Sequence, residues 1–200
     1  MKKEVRILAG NAKEVSLWEG DWIGCDYGAY LLAENGISMV LAVGDFDSVK
    51  DTDLIRQYAK EFVKLNPVKN ESDLEEAVAY AKTKYEHMTV YGALGGRIDH
   101  EISALRLITE RNEPIVFENA QNRVFRLDDG VFTIPKDKFT YLSFLALNEA
   151  EITLEGVKYP LEKRRITPRD LYLLSNEILK EEAIVKLKGP VLVIQSSDRK

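Results

Sequence analysis

Cysteine is almost absent from this chain: Cys25 stands alone in 200 residues. No internal disulfide can form, and a reducing cytoplasm is the expected setting. The thiol closes the apolar-leaning run Trp22-Ile23-Gly24-Cys25, where a buried, inert sulfur is expected rather than a nucleophile. Basic charge is also short. Lys and Arg number 28 against 33 Asp and Glu, a formal charge of −5, and the pI is near 5.3. Nucleic acid is therefore not an expected partner, since its binding needs a concentrated basic surface. No apolar run approaches a membrane span and no secretory signal pattern opens the chain, so no membrane partner is expected. A Gly-Lys-Ser/Thr phosphate loop is missing, as is any paired nucleophile motif. Those absences argue against P-loop kinases and acyl-transfer hydrolases.

What is present is an ordinary globular composition, 45% hydrophobic and 30% charged, enough for one large domain or two small ones. Strand patterns are expected at residues 5–10, 21–25, 39–43, 62–65, 88–92 and 114–117, and helices at 30–35, 51–60, 71–84 and 98–111. That alternation predicts a parallel sheet wrapped by helices. In the third helix Leu74, Ala77, Val78 and Ala81 are spaced for one apolar face; in the fourth, Ile102, Leu105 and Ile108 or Thr109 are. Past Glu118 the texture changes to short β runs at 124–127, 131–134, 141–147, 152–154, 183–187 and 191–195, punctuated by turns such as Asp128-Asp129-Gly130 and Lys188-Gly189-Pro190. The expected fold is an α/β domain over 1–118 followed by an all-β, antiparallel sandwich domain over 119–200. The charged run Glu162-Lys163-Arg164-Arg165 reads as a solvated loop.

Three stretches fall at one edge of the predicted sheet. Gly44-Asp45-Phe46-Asp47-Ser48 follows the buried strand 39–43. If the chain stays extended there, Asp45 and Asp47 point to one side and Phe46 to the other. Two carboxylates at the mouth of a parallel sheet suit a hard cation such as Mg2+, although Asp, Gly and Ser are also ordinary turn residues. Lys69-Asn70-Glu71-Ser72-Asp73 opens a helix, with Ser72 as a cap, Asp73 in the first turn and Lys69 able to meet a phosphate. Gly92-Ala93-Leu94-Gly95-Gly96-Arg97-Ile98-Asp99-His100 runs from strand to helix. Its glycines allow close backbone approach, and Arg97 offers a planar fork for phosphate oxygens. Together these stretches suggest Mg2+-dependent chemistry on a polyphosphate, because Asp45, Asp47 and Asp73 would repel a nucleoside triphosphate without a metal between them.

The same runs resemble the thiamine pyrophosphokinase family. Its Gly-Asp-Phe-Asp-Ser is residues 44–48, its Lys-Asp-x-Thr-Asp is similar to residues 69–73, and its Gly-Gly-Arg-x-Asp-His is residues 95–100. In the β region, Gly156-Val157-Lys158-Tyr159-Pro160-Leu161 and Ser175-Asn176-Glu177 carry the likeness further. The resemblance implies pyrophosphoryl transfer from ATP to the hydroxyethyl oxygen of thiamine. It also implies a homodimer whose active sites lie between the α/β domain of one subunit and the β domain of the other. Asp45, Asp47 and Asp73 would hold Mg2+ and Arg97 and Asp99 the transferring group and its acceptor, these five forming the catalytic set. ATP contacts would come from Asp26, Lys69, Ser72, Gly95, Gly96, Arg97 and His100, and Ser175 and Asn176 would line the thiamine pocket. Asp73 and Asp99 both stand as acceptors for the alcohol proton. Asn70 replaces a family Asp and Tyr27 a family Gly, departures that bear on efficiency and metal stoichiometry and keep a non-catalytic binding regulator in view. Pyrophosphoryl or nucleotidyl transfer to another small alcohol is the same-class alternative. Tyr141, Phe144 and Tyr159 are candidates for stacking on thiamine, though at strand spacing they also suit core packing.

Overall fold

A computed structural model describes residues 3–12, 19–49, 51–66, 68 and 71–198. Lys69 and Asn70, with the expectations attached to them, lie outside the described residues. The chain divides into two compact units, Met1–Glu118 and Asn119–Lys200.

The first unit runs β1 (Glu4–Leu8), β2 (Asp21–Cys25), α1 (Tyr27–Glu34), β3 (Met39–Gly44), α2 (Thr52–Tyr58), β4 (Ala59–Lys64), α3 (Asp73–Lys82), β5 (His87–Tyr91), α4 (Ile98–Thr109) and β6 (Ile115–Glu118). Its strands pair in the order β4-β3-β2-β1-β5-β6, every pair parallel. The chain steps outward from β1 to β4, then crosses back to lay β5 on the other side of β1. A strand-order reversal therefore lies between β1 and β5. Trp22, Ile23, Gly24 and Cys25 are buried in succession, as are Leu41 to Gly44, the unbroken burial expected of central parallel strands.

Helix α2 stops at Tyr58 and β4 starts at Ala59, where the helix is expected to reach Lys60, and two further local features depart from expectation for readable reasons. Helix α1 begins at Tyr27, three residues before the predicted start, because Gly28 is a site of close approach rather than a breaker. A Cβ there would run into the Leu8 carbonyl oxygen, and one on Gly24 into Ala29. Helix α4 buries Ala104, Leu107 and Ile108, while Ile102 is 50% exposed. The predicted face is thus rotated: α4 is apolar on more than one side, so periodicity alone selects no single stripe.

The second unit is antiparallel throughout. It contains β7 (Asn122–Leu127), β8 (Gly130–Pro135), β9 (Tyr141–Ala146), β10 (Ala150–Glu155), β11 (Leu161–Ile166), β12 (Glu182–Lys188) and β13 (Val191–Ser196). Strands β7-β13-β9 are neighbours in one sheet and β11-β10-β12-β8 form another. Phe144, Val191 and Val193 of the first pack in one core cluster with Ile152, Leu154, Ala183 and Val185 of the second. The run Glu162-Lys163-Arg164-Arg165 is not a loop but the exposed middle of β11. It lies at the sheet edge, where charge discourages pairing with another chain; four consecutive exposed charges erased the alternation that would have revealed a strand.

Candidate active site

A cavity of about 590 Å³ opens at the carboxyl ends of β1 and β5, the place where open parallel sheets bind ligands. Ala9, Gly10 and Asn11 line it after β1, Gly92 and Ala93 after β5. These two loops are tied together: Ala9 N–H donates to the Tyr91 carbonyl at 2.8 Å and Asn11 N–H to that of Gly92 at 3.2 Å. Gly92 has φ +73, and a Cβ on it would crowd the Ala9 carbonyl and the Ala12 nitrogen. Three helices start at the cavity wall, α1 at Asp26 and Tyr27, α3 at Ser72 and Asp73, and α4 at Arg97, Asp99 and His100. Helix N-termini carry backbone N–H groups without intrahelical partners, so the wall favours anions on geometric grounds.

Asp26 stands at the centre of the acid cluster. It has a left-handed backbone, φ 46, and its N–H donates to the Val43 carbonyl at 3.1 Å. Its Oδ1 accepts the Phe46 N–H at 3.1 Å. A Cβ on Gly44 would collide with that same Oδ1, which is why the β3 terminus is a glycine. Burial pushes the Asp26 carboxyl up to about 7, assisted by a hydrogen bond with the Asp73 carboxyl and by the charges of Asp73 and Asp45, against the pull of the Phe46 N–H. Asp26 therefore titrates around neutrality, its proton held against the Asp73 carboxyl.

The Gly44–Ser48 stretch is not extended, contrary to the alternation argument. Phe46 is left-handed, φ 55, and buried. Asp47 N–H turns back to Asp45 Oδ1 at 3.1 Å, and Val49 N–H to the Phe46 carbonyl at 3.3 Å. Asp45 is half-buried near Asp26 and Asp47 is exposed; Ser48 reaches the cavity. Among the described residues no group of three or more His, Cys, Asp or Glu side chains is placed to hold a metal ion by itself. The donors nonetheless fit Mg2+, which is commonly bound by one or two carboxylates with substrate phosphates and water completing the shell. The Asp26–Asp73 pair supplies two hard oxygen donors bound to each other through a proton, and a cation would relieve the same repulsion.

Ser72 is committed to its helix. Its Oγ accepts the Glu75 N–H at 3.3 Å while Glu75 Oε2 accepts the Ser72 N–H at 2.7 Å, a reciprocal cap. Arg97 and Asp99 form a planar fork, Nε to Oδ1 at 3.1 Å and Nη2 to Oδ2 at 2.6 Å. Both are exposed to the cavity mouth, and the guanidinium bond holds the Asp99 carboxyl down at about 2. Gly95 N–H is tied to Glu101 at 3.1 Å. Gly96 and His100 line the cavity.

Asp26, Ser72, Asp73, Gly96, Arg97, Asp99 and His100 thus share one cavity, whereas Asp45, Asp47 and Gly95 stand off its wall. Asn11, Tyr27 and Ser103 line it as well without having been singled out as ligand contacts. Asn11 follows the end of β1 and was legible only once β1 and β5 were known to be neighbours. In the second unit, Ser175 has a left-handed backbone, φ 59, and donates its N–H to Ser143 Oγ at 2.9 Å. Asn176 is buried, accepting from Tyr159 and Glu177 N–H and donating to the Tyr159 carbonyl. Phe144 is wholly buried in the core, while Tyr159 is 59% exposed.

The fold and cavity define an open-sheet α/β protein with a cavity of helix N-termini, carboxylates and Arg97 at its strand reversal, continued by an antiparallel β unit. Two family models match in order: "Thiamin pyrophosphokinase, catalytic domain" over residues 14–117 and "Thiamin pyrophosphokinase, vitamin B1 binding domain" over residues 131–192. Thiamine pyrophosphokinase of Bacillus subtilis (strain 168) is 32% identical over 201 residues, 96% of this chain and 92% of that one. The crystal structure of thiamine pyrophosphokinase from Bacillus subtilis is similar with a TM-score of 0.85 at 29% identity, covering 98% of this chain and 100% of the other. That of a thiamin pyrophosphokinase family protein from Enterococcus faecalis gives 0.86, also at 29% identity, 98% and 100%. The chain belongs to the thiamine pyrophosphokinase family.

Proposed function

We propose that this protein transfers the pyrophosphoryl group of ATP to the hydroxyl of thiamine, giving thiamine diphosphate and AMP. The observation that carries the reading is the cavity at the strand reversal, where helix N-termini, Arg97 and the Asp26–Asp73 pair converge in a chain matching both family domains. In the reaction the alcohol oxygen bonds to the β-phosphorus, the bond from that phosphorus to the α–β bridging oxygen breaks to release AMP, and the alcohol proton passes to a cavity carboxylate, Asp73 or Asp99. The first unit, 1–118, handles Mg·ATP as a nucleotide-binding domain. The second, 119–200, is a β-sandwich that binds thiamine through Ser175 and Asn176.

Bound Mg2+ would neutralise phosphate charge and polarise the transferring group. Of the metal set expected from the sequence, Asp45, Asp47 and Asp73, Asp73 lines the cavity and would hold it together with Asp26, while Asp45 and Asp47 stand in the adjoining turn off the wall. Arg97 exchanges its Asp99 partner for phosphate oxygens, matching a fork to a planar pair of acceptors. Helix N–H groups at α1, α3 and α4 meet the remaining oxygens. Positioning and charge neutralisation supply most of the acceleration. The protein acts as a homodimer in the cytoplasm, in keeping with the family resemblance and the solitary cysteine.

Purified protein incubated with thiamine, ATP and Mg2+ should release thiamine diphosphate and AMP in equal amounts, abolished by chelator. ADP in place of AMP would overturn the reaction class. Thiamine binding without turnover would overturn the enzyme reading in favour of a regulator.

A further inference from the structure

Phe46 adopts a backbone that a bulky aromatic residue resists, φ 55. Such a conformation persists only where its surroundings over-determine it: the Phe46 carbonyl accepts the Val49 N–H at 3.3 Å within the turn, its side chain is buried, and two further contacts reach outside the turn. The Phe46 N–H donates to Asp26 Oδ1 at 3.1 Å. Its ring stacks on Phe62 of β4, with centroids 4.7 Å apart and planes at 17°. The Arg56 guanidinium from the last turn of α2 stands over the Phe62 ring, its Cζ 3.7 Å from the centroid. Two planar groups at those distances cannot share one face of a ring, so Phe62 lies between Phe46 and Arg56. Strand β4 is the edge of its sheet, and Lys60, Glu61, Val63 and Lys64 around Phe62 are exposed. The Phe62 ring is half-buried against the core cluster that includes Phe46 and Ile55, with exposed neighbours on either side along the strand. Neither Phe62 nor Arg56 lines the cavity.

We infer that Phe62, backed by Arg56, is a positioning residue for the acid cluster: it holds Phe46 left-handed and so aims the Phe46 N–H at Asp26. The contact chain is continuous from guanidinium to ring, ring to ring, and amide to carboxylate. Removing its middle link frees the Phe46 backbone to relax, turns the amide away and changes where Asp26 presents its oxygens. The inference rests on the reading of Asp26 as part of the Mg·ATP site.

The test compares Phe62→Leu, which keeps an apolar group but no ring, with Phe62→Tyr, which keeps the stack. One readout is amide hydrogen exchange at Phe46 in the metal-free protein, measured against amides in β1 and β5. The other is the Mg2+ concentration giving half-maximal thermal stabilisation in the presence of ATP. In Phe62→Leu the Phe46 amide should exchange about tenfold faster than in the parent, with β1 and β5 amides unmoved, and the Mg2+ midpoint should rise roughly tenfold, the scale of a lost outer-shell partner. Phe62→Tyr should restore both. A Phe62→Leu protein with lower thermal stability but unchanged Phe46 exchange and Mg2+ midpoint would reduce Phe62 to packing and overturn the proposal. If Phe62→Leu does not fold, Arg56→Gln removes only the outer support, and the same two quantities decide. Absence of thiamine turnover in the parent protein would overturn the proposed reaction, whereas the Phe46 amide judges Phe62 by itself.

Discussion

At the scale of single residues, the cavity holds two carboxyls pushed in opposite directions. Asp26 rises from 3.8 to about 7 in the folded protein through burial and the bond with Asp73. Between those values the folded chain holds a proton that the unfolded chain has lost, so metal-free stability falls as pH rises from about 4 to 7. Asp26→Asn should flatten that decline in a thermal-melt series, and in the parent Mg2+ should raise Tm more at pH 8 than at pH 5. An equal Mg2+ effect at both values would separate the proton from the cation. Asp99 moves the other way, to about 2, because Arg97 grips it. Arg97→Lys keeps the charge but loses the fork. It should cost roughly a hundredfold in kcat, the scale of one lost transition-state donor. The Asp99 carboxyl should also move back toward its ordinary value, followed by carboxyl NMR.

Secondary-structure elements show which parts of this molecule are legible in sequence. Strand β2 spans Asp21–Cys25, as its apolar run implies, because a strand buried on both faces writes itself as continuous hydrophobicity. Strand β11 was hidden for the opposite reason, being an edge whose outward charges mask its period. The rotation of α4 and the early start of α1 are tertiary facts: Gly28 looks like a breaker until the Leu8 carbonyl is placed beside it. Gly28→Ala should cost about 1–3 kcal/mol of stability, the range for forced overpacking, measurable by urea titration, with α1 displaced at its first turn. In the site, Arg97, Asp99 and His100 were legible from type and spacing, and they line the cavity. The turn at Phe46 was not, since its left-handed backbone answers to Asp26 and Phe62, distant in sequence.

At the scale of the whole molecule, two compact units with their own buried clusters invite separate readouts. Hydrogen exchange with Mg·ATP alone should protect the ends of β1 and β5 and the first turns of α1, α3 and α4. Thiamine alone should protect the segment around Ser175 and Asn176. Protection by thiamine confined to the first unit would remove those two residues from its site. Cys25, the lone cysteine, is 3% exposed and borders the cavity, its Sγ directed to the Asp73 carbonyl at 3.9 Å. The buried thiol expected from the sequence is thus also the cavity's one cysteine, and its accessibility to small reagents reports how open that cavity is. An electrophilic fragment small enough to enter has one thiol to find in the entire chain, and intact-mass spectrometry would count the adducts formed there.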